Sequence, residues 1–417
     1  MSRETLRKDA NAETFRRLMA AEPVLIDVRP AGEAVPGFAP NLVLTSGPTL
    51  AFGDYEGGQR DGLIGGALYE GLAASRDEAI AKLESGAIRV LGCQELGCVG
   101  SLAGIYTASM PVFVVENQAG SNRAFCNMYE GKSPKRLNYG VYDDEVRGRL
   151  KRIEQAVGPA IGAAVRAAGG VPLKPIMKRA LHMGDELHSR NTAASLLFAR
   201  SLFPGLIDLA GTRRDDVLAT VEVLTEDDYF FLRLSMAAAK AIADHAHGVE
   251  GSSLVTAMGF NCKGFAIRVG GLGPRWFTGP PPNVKAKLFA GHTEDEISWM
   301  GGESPITETV GLGGFAQAAA FALQAYQGGS AGAMVERNLA MYGITEGENE
   351  HFLIPYLGYR GTPTGIDIVK VIESGVRPVM DVGVAGKGGG QIGAGIVTAP
   401  EACFTAAMSA YEERYGA

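Results

Sequence analysis

The chain has 417 residues, 46% of them apolar, and a formal net charge of -7 at pH 7. That length calls for two or three cores rather than one, and its scattered acidic groups offer nothing to a nucleic-acid backbone. The charged N-terminus MSRETLRKDANAETFRRL lacks a signal peptide's apolar core, and no uninterrupted apolar run reaches the ~20 residues that span a bilayer, so no membrane partner and a cytoplasmic setting are expected.

Residues 3–20 read as an amphipathic helix, followed by a short strand, VLIDVRP, over 24–30. NLVLTSGP (41–48) reads as a second strand that delivers a Ser-Gly-Pro turn. Helical apolar spacing runs through 68–86, closed by Gly86 where a C-cap residue belongs. AIRVLGC (87–93) and PVFVVEN (111–117) resume as strands. This alternation predicts an N-terminal α/β domain over 1–150.

From about 144 to 250 the apolar residues fall at three- and four-residue spacing, which predicts a helical domain over 151–250. Beyond Gly251 come short β-prone pieces, SSLVTAMGF, CKGFAIRVGG and AKLFAG. Two helices are expected within GGFAQAAAFALQAYQG and AGAMVERNLAMYG. RPVMDVGVAG and IGAGIV then return to strand and turn, giving a C-terminal Gly-rich α/β domain over 251–417. The fold class is therefore α+β: two mixed α/β modules with a helical module between them.

Glycine is abundant, 57 residues, roughly twice its usual share, and its GG and GxG clusters point to tight turns and close backbone approach. Five cysteines, at 93, 98, 126, 262 and 403, form no disulfide framework and read as reduced thiols.

The densest chemistry lies in LHMGDELHSRN, which crowds His182, Asp185, Glu186, His188, Arg190 and Asn191 against an apolar run. Desolvating so many ionisable groups is costly unless they are paired, so a polar site at the edge of a packed element is expected. In a helix, His182 and Glu186 share a face, able to hold a divalent metal or to move a proton. The HxxxExH spacing lacks the HExxH order of a zinc peptidase. Alternatively, Asp185 caps a helix that begins near Glu186, with His188 and Arg190 turned into a cleft. The blandest reading is a helix start with solvated charges.

Around Cys98, the glycines 97, 100 and 104 follow a strand, where free amides can hold a carboxylate or phosphate. Glu116 and Asn117 close the next strand, a common place for ligand-facing groups in an open sheet. Tight glycine packing explains the same pattern. Arg268 and Arg275 suit bidentate pairing with an anionic substrate, walled by Trp276 and Phe277. Glu303, Thr307, Glu308 and Thr309 add carboxylates and hydroxyls beside glycine amides. GKGGG (386–390) lacks the order of a P-loop, but Lys387 can still approach a phosphate as a point charge.

Taken together, LIGGALYEGLA (63–73), VGSLAGIYTASMPVFVVEN (99–117), HMGDELHSRNTAA (182–194), FNCKGFAIRV (260–269), ESPITETVGLGGFAQAAA (303–320) and GQIGAGIVTAPEACF (390–404) resemble the DUF1116 family. Its members include the AllG/YlbE-type proteins of allantoin-degradation gene clusters, part of purine catabolism. The resemblance spans nearly the whole chain. It implies a subunit linked to oxamate carbamoyltransferase activity, which converts oxalurate and phosphate to oxamate and carbamoyl phosphate, a homo-oligomer, and an FdrA-like partner subunit.

On that resemblance, arginines would hold the small anionic amide substrate, glycine amides with Lys387 the phosphate, and His182 or His188 would transfer the proton. The family pattern near residue 93 reads more like Cys-His before VGPMAG. Here Gln94 stands where the histidine is expected, and Ser101-Leu102 replaces Pro-Met. Two other readings stay open. One is a metal-dependent amidohydrolase using His182, Glu186, His188 and Asp185; the other is a non-catalytic structural subunit. No cofactor beyond a divalent metal is suggested.

Overall fold

Pro111–Asn117 is buried along almost its whole length, and its Val-Phe-Val-Val run is what a strand covered on both faces requires. In the computed structural model, which describes residues 3–226 and 228–416, this strand is the middle of a five-stranded sheet. Pro23–Pro30 pairs antiparallel on one side and Arg123–Asn127 antiparallel on the other, with Val28 opposite Phe113 and Phe113 opposite Cys126. Cys98–Val99 and Val171–Pro172 form the edges. A separate parallel pair joins Leu42–Thr45 to Arg89–Gly92.

The Ala-rich helix Leu232–Ala246 packs against the Pro23–Pro30, Pro111–Asn117 and Arg123–Asn127 strands. Alanine is the strongest helix former and its small side chain lets a helix approach a sheet closely. The helix begins directly after Phe230 and Phe231, fully buried rings of which the first stacks on Phe198 and the second meets it edge-on. Around it lie Asp144–Arg152, Gly158–Ala167, Leu173–His182, Thr192–Ala210 and Arg214–Glu226, the first two joined by a π turn over Ile153–Val157. Two mixed α/β parts thus flank a central helical stretch.

The C-terminal part holds an antiparallel sheet in the order Val284–Leu288, Gln391–Thr398, Val379–Gly386 and Ile297–Ser298. Beside it are a three-stranded sheet, Val255–Asn261, Gly264–Val269 and Phe277–Gly279, and a hairpin of Thr345–Ile354 with Arg360–Ile366. Met258, Phe265, Ile267, Met380, Phe404 and Tyr411 belong to their common core. The parts interlock: Arg7 of the Arg3–Ala20 helix bonds Asp367 at 2.9 Å, and Asn11 bonds Ser253 at 3.0 Å.

Several elements differ from their sequence-based expectation. The single helix over 68–86 is two helices, Gly57–Tyr69 and Arg76–Glu84. Gly71, at φ +73°, ends the first turn and Ser75 caps the second helix by accepting the Glu78 amide. The first expected helix within 313–328 is a chain of 3-10 turns ending in Gln324–Gln327. Gly311 and Gly313 take positive φ there, and Gly314 donates its amide to Glu308 rather than to a helix carbonyl. Leu173–His182, Arg214–Glu226 and Glu401–Tyr415 are additional helices. By length and composition, Thr192–Ala210 is apolar enough to cross a membrane. Its Phe198, Leu202 and Leu206 are buried in the helical core, and Arg200 and Asp208 interrupt its apolar run.

Candidate active site

The chain between Leu173–His182 and Thr192–Ala210 is not helical, so the HxxxExH face does not form. His182 ends the first helix, exposed, its ring edge-on to Tyr359 at 5.3 Å. Asp185 and Glu186 turn inward and accept backbone amides of the loop and of the helix after it, while Asp185 Oδ1 lies 3.5 Å from Arg190 Nε without a hydrogen bond. Asp185 Oδ2 accepts the Ala194 amide at 2.8 Å, anchoring the next helix start, which lies at Thr192 and not near Glu186. Glu186 accepts the amides of His188 at 2.8 Å and Arg190 at 3.2 Å, and that of Ser189. Between them Leu187 is fully buried at φ +70°. A left-handed non-glycine residue costs roughly 1–2 kcal/mol, so the loop is held in place by its surroundings. Ser235 contributes, its hydroxyl donating to Leu187 O at 2.8 Å.

This loop presents His188 to Glu308. The two side chains meet at 2.8 Å, Nδ1 to Oε1, both almost completely buried. Thr307 donates its hydroxyl to Glu308 Oε2 at 2.8 Å and also lies 3.2 Å from His188 Nδ1. Gly314 and Asp381 amides bond Glu308 Oε1. Burial alone would lower the pKa of His188, but the charge and hydrogen bond of Glu308 override it and raise it above the ordinary imidazole value. With Nδ1 occupied, Nε2 is the ring nitrogen offered to the cavity that His188 lines. Deeper still, burial and then the charge of Asp381 raise the carboxyl pKa of Glu186, and burial raises that of Asp381 against the pull of His188.

The cavity measures about 360 Å³ and opens where all three parts of the chain meet. Arg136 and Arg233 supply charge to it, with Lys132 exposed on its wall, and among the described residues that line it there is no carboxylate. Arg233 is 4% exposed and bonds the Asn127 side chain at 3.2 Å; its Nε has no hydrogen-bond partner, and among the described residues it forms no ion pair. The Arg136 guanidinium lies 4.3 Å from the centroid of the Tyr139 ring and bonds Gly131 O at 3.4 Å. Tyr129, Tyr229, Tyr326 and Phe260 complete aromatic walls, and Ser101, Leu102, Ser304 and Gln391 add small or polar surface. The departures at 101 and 102 therefore sit on the cavity wall, with Leu102 at φ +50°. Gln94 lies elsewhere, its amide nitrogen donating to Met258 O at 3.2 Å.

The other candidates are placed differently. Glu303 is buried and accepts the amides of Gly47 at 2.9 Å and Gly100 at 2.8 Å, so the glycine loop does hold a carboxylate, but the protein's own. Burial raises its pKa to about 7 against the pull of those two amides. Glu116 pairs with Arg123 at the surface, and Asn117 accepts the Glu22 amide at 2.8 Å to shape a turn. Their strand is antiparallel within its sheet, so its end is not the crevice of a parallel one. Arg268 is neutralised by Glu95 at 2.6 Å under the Trp276 ring. Arg275 is exposed beside Phe277 in a surface cleft with Glu413 and Arg414. Lys387 is exposed, and the glycine turn contributes Gln391 to the cavity in its place.

Sequence reasoning missed Lys132, Arg136 and Arg233. The first two lie in a loop of ordinary composition. The third sits in an apolar helix, where an arginine among LRLSMAAAK was the available signal. As for metal chemistry, His188 Nδ1, Glu186 and Asp185 are spent on protein partners and His182 points elsewhere. Among the described residues no three His, Cys, Asp or Glu side chains form a group able to hold a metal ion.

A family model, oxamate carbamoyltransferase subunit AllG, matches residues 88–304, a span that includes Arg136, His188 and Arg233. The chain is 36% identical over 414 residues to the oxamate carbamoyltransferase subunit AllG of Escherichia coli strain K12, covering 98% of both. It is also 40% identical over 409 residues to the uncharacterized protein YahG of that organism, covering 98% of this chain and 86% of the relative. A crystal structure of a conserved protein of unknown function from Enterococcus faecalis V583 superposes with a TM-score of 0.95 at 36% identity, covering 98% of each chain.

Proposed function

Since this chain belongs to the family of the oxamate carbamoyltransferase subunit AllG, we propose that it is an enzyme subunit that transfers a carbamoyl group between oxamate and phosphate in allantoin degradation. The observation that carries this reading is the convergence of Arg136, Arg233 and the His188–Glu308 pair on one cavity. Carbamoyl phosphate is a small polyanion, and a wall that carries two arginines suits it.

In the direction that consumes carbamoyl phosphate, the oxamate nitrogen attacks the carbamoyl carbon and its proton passes to His188 Nε2. The bond from that carbon to the phosphate oxygen breaks, and phosphate leaves with the electron pair. The arginines stabilise charge as it builds on the phosphate and the carbonyl oxygen. Glu308 orients the imidazole and supports its charged form. In reverse, phosphate attacks the carbamoyl carbon of oxalurate and His188 returns a proton to the leaving nitrogen.

The metal-dependent amidohydrolase reading finds no converging ligand set in these residues. A purely structural subunit is disfavoured by a buried Arg233 that forms no ion pair among the described residues and by a strained loop, since both cost stability without a structural return. An FdrA-like partner completes the proposal, together with self-association. All five cysteines are free and buried, which suits a reducing, cytoplasmic setting. The test is phosphate-dependent release of carbamoyl phosphate from oxalurate, with and without the partner. Loss of that activity in His188→Ala and Arg233→Met supports the reading; activity unchanged in both variants sinks it.

A further inference from the structure

We infer that the site has a second chamber, built for the carboxylated amide, so that the two reactants meet across Ser189 rather than sharing one cavity. The inference rests on the carbamoyl-transfer reading for the identity of the reactants. A second cavity of about 330 Å³ is lined by Ser189, Arg190, Asn191, Asp228, Tyr229 and Tyr326 among others. Ser189, Tyr229 and Tyr326 line both cavities, with the two tyrosine rings 5.9 Å apart.

Two groups in this chamber lack what their chemistry needs. Asn191 is 1% exposed, and its amide nitrogen donates to His188 O at 2.8 Å. Its Oδ1 is buried with no hydrogen-bond partner. Reversing the amide would set that oxygen against the His188 carbonyl, so the acceptor is fixed toward a missing donor. Arg190 uses Nε on Gly184 O at 3.1 Å, beside Asp185 at 3.5 Å. Among the described residues its two terminal nitrogens make no hydrogen bond. The backbone amides at this helix start offer no alternative anion site, because Asp185 and Glu186 already occupy those of Ala194, His188, Ser189 and Arg190.

The chamber thus pairs one guanidinium with one buried acceptor. A molecule that carries a carboxylate beside an N–H satisfies both; a fully ionised phosphate satisfies only the first. Charge separates the chambers in the same sense. Among the described residues that line the first, three are cationic, Arg136, Arg233 and Lys132, which suits a polyanion. Arg190 is balanced by Asp185 and Asp228, which suits a monoanion with hydrogen-bond donors. The amide nitrogen and the carbamoyl carbon would then meet beside Ser189, next in sequence to His188.

Calorimetric titration of the purified protein, with whatever subunits co-purify, tests this, using oxamate and inorganic phosphate as separate probes. Arg190→Gln is expected to weaken oxamate at least tenfold and change phosphate less than twofold, with Arg233→Met giving the opposite pattern. Arg190→Lys, which keeps the charge but not the fork, should fall between. A single cooperative unfolding transition, at or above the wild-type midpoint, shows that each variant folds. Unchanged oxamate affinity in Arg190→Gln, or equal weakening of one probe by both variants, overturns the second chamber. If wild type ignores oxamate but binds malonamate or succinamate through Arg190, the chamber stands and the oxamate reading fails. Wild type binding none of the three amides removes the chamber.

Discussion

His188 and Glu308, 120 residues apart in the chain, are joined Nδ1 to Oε1 at 2.8 Å in a site with almost no solvent contact. Burial would favour the neutral imidazole, and the carboxylate more than reverses that preference. The pair is therefore a proton-holding device whose set point is decided by Glu308. As a base toward oxamate, His188 must be neutral, so kcat/KM rises with pH through a pKa above the ordinary 6.5. Glu308→Gln removes the opposing charge and is expected to move that limb to lower pH. The plateau should fall by about 10²-fold, the usual scale of general acid–base assistance. A pH–rate profile reads both effects, and an unmoved limb would remove His188 as the titrating base.

Arg233 is a buried cation with no carboxylate partner among the described residues, an arrangement that costs stability. Arg233→Met should raise the unfolding temperature while raising the phosphate KM by ~30-fold, the worth of about 2 kcal/mol of charged hydrogen bonding. Thermal unfolding and steady-state kinetics on one preparation give the two signs together. A fall in both stability and affinity would mean that Arg233 serves the fold.

Glu303 has its folded pKa raised to about 7 from the ordinary 4.5, chiefly by burial. A raised pKa means that the folded state holds its proton more tightly than the unfolded chain. This contribution is complete below pH 4.5 and is lost as pH rises to about 7. Glu303→Gln cannot titrate. The stability of the variant relative to wild type should therefore improve by about 3 kcal/mol across that window, at 1.36 kcal/mol per unit of pKa. Urea unfolding at pH 4.5 and pH 7.5 measures the difference of differences, from which the fixed cost of exchanging an oxygen for an amide cancels.

Gly47 takes φ +78°, and a Cβ there would lie 2.5 Å from the Phe260 backbone. It also donates its amide to Glu303. Gly47→Ala combines left-handed strain with a backbone collision, and is expected to cost about 3 kcal/mol or more. Gly71→Ala shares the positive φ of +73° but meets nothing within 4 Å, so it should cost only about 1 kcal/mol. Comparing their denaturation midpoints separates collision from strain.

Period and composition were enough, in the sequence alone, to set out the alternation of strands, the helical middle and the return to β structure. Residues such as Val112 to Val115 or Ala237 to Ala241 carry their own burial pattern, which local steric preference then converts into strand or helix. The same reasoning singled out His188 and Glu308 as candidates, because isolated ionisable groups beside apolar runs are costly and so informative, and Thr307 as a hydroxyl among them. What it could not supply was which of them meet. His188 faces Glu308, and Glu186 does not face His182, because a positive-φ Leu187 turns the chain where a helix was expected. Arg268 and Arg233 look alike on paper. Only packing gives the first a carboxylate at 2.6 Å and leaves the second beside a cavity. A side chain's type is local, but its charge balance depends on neighbours far away in the chain, and those are fixed only when the three parts close on one another.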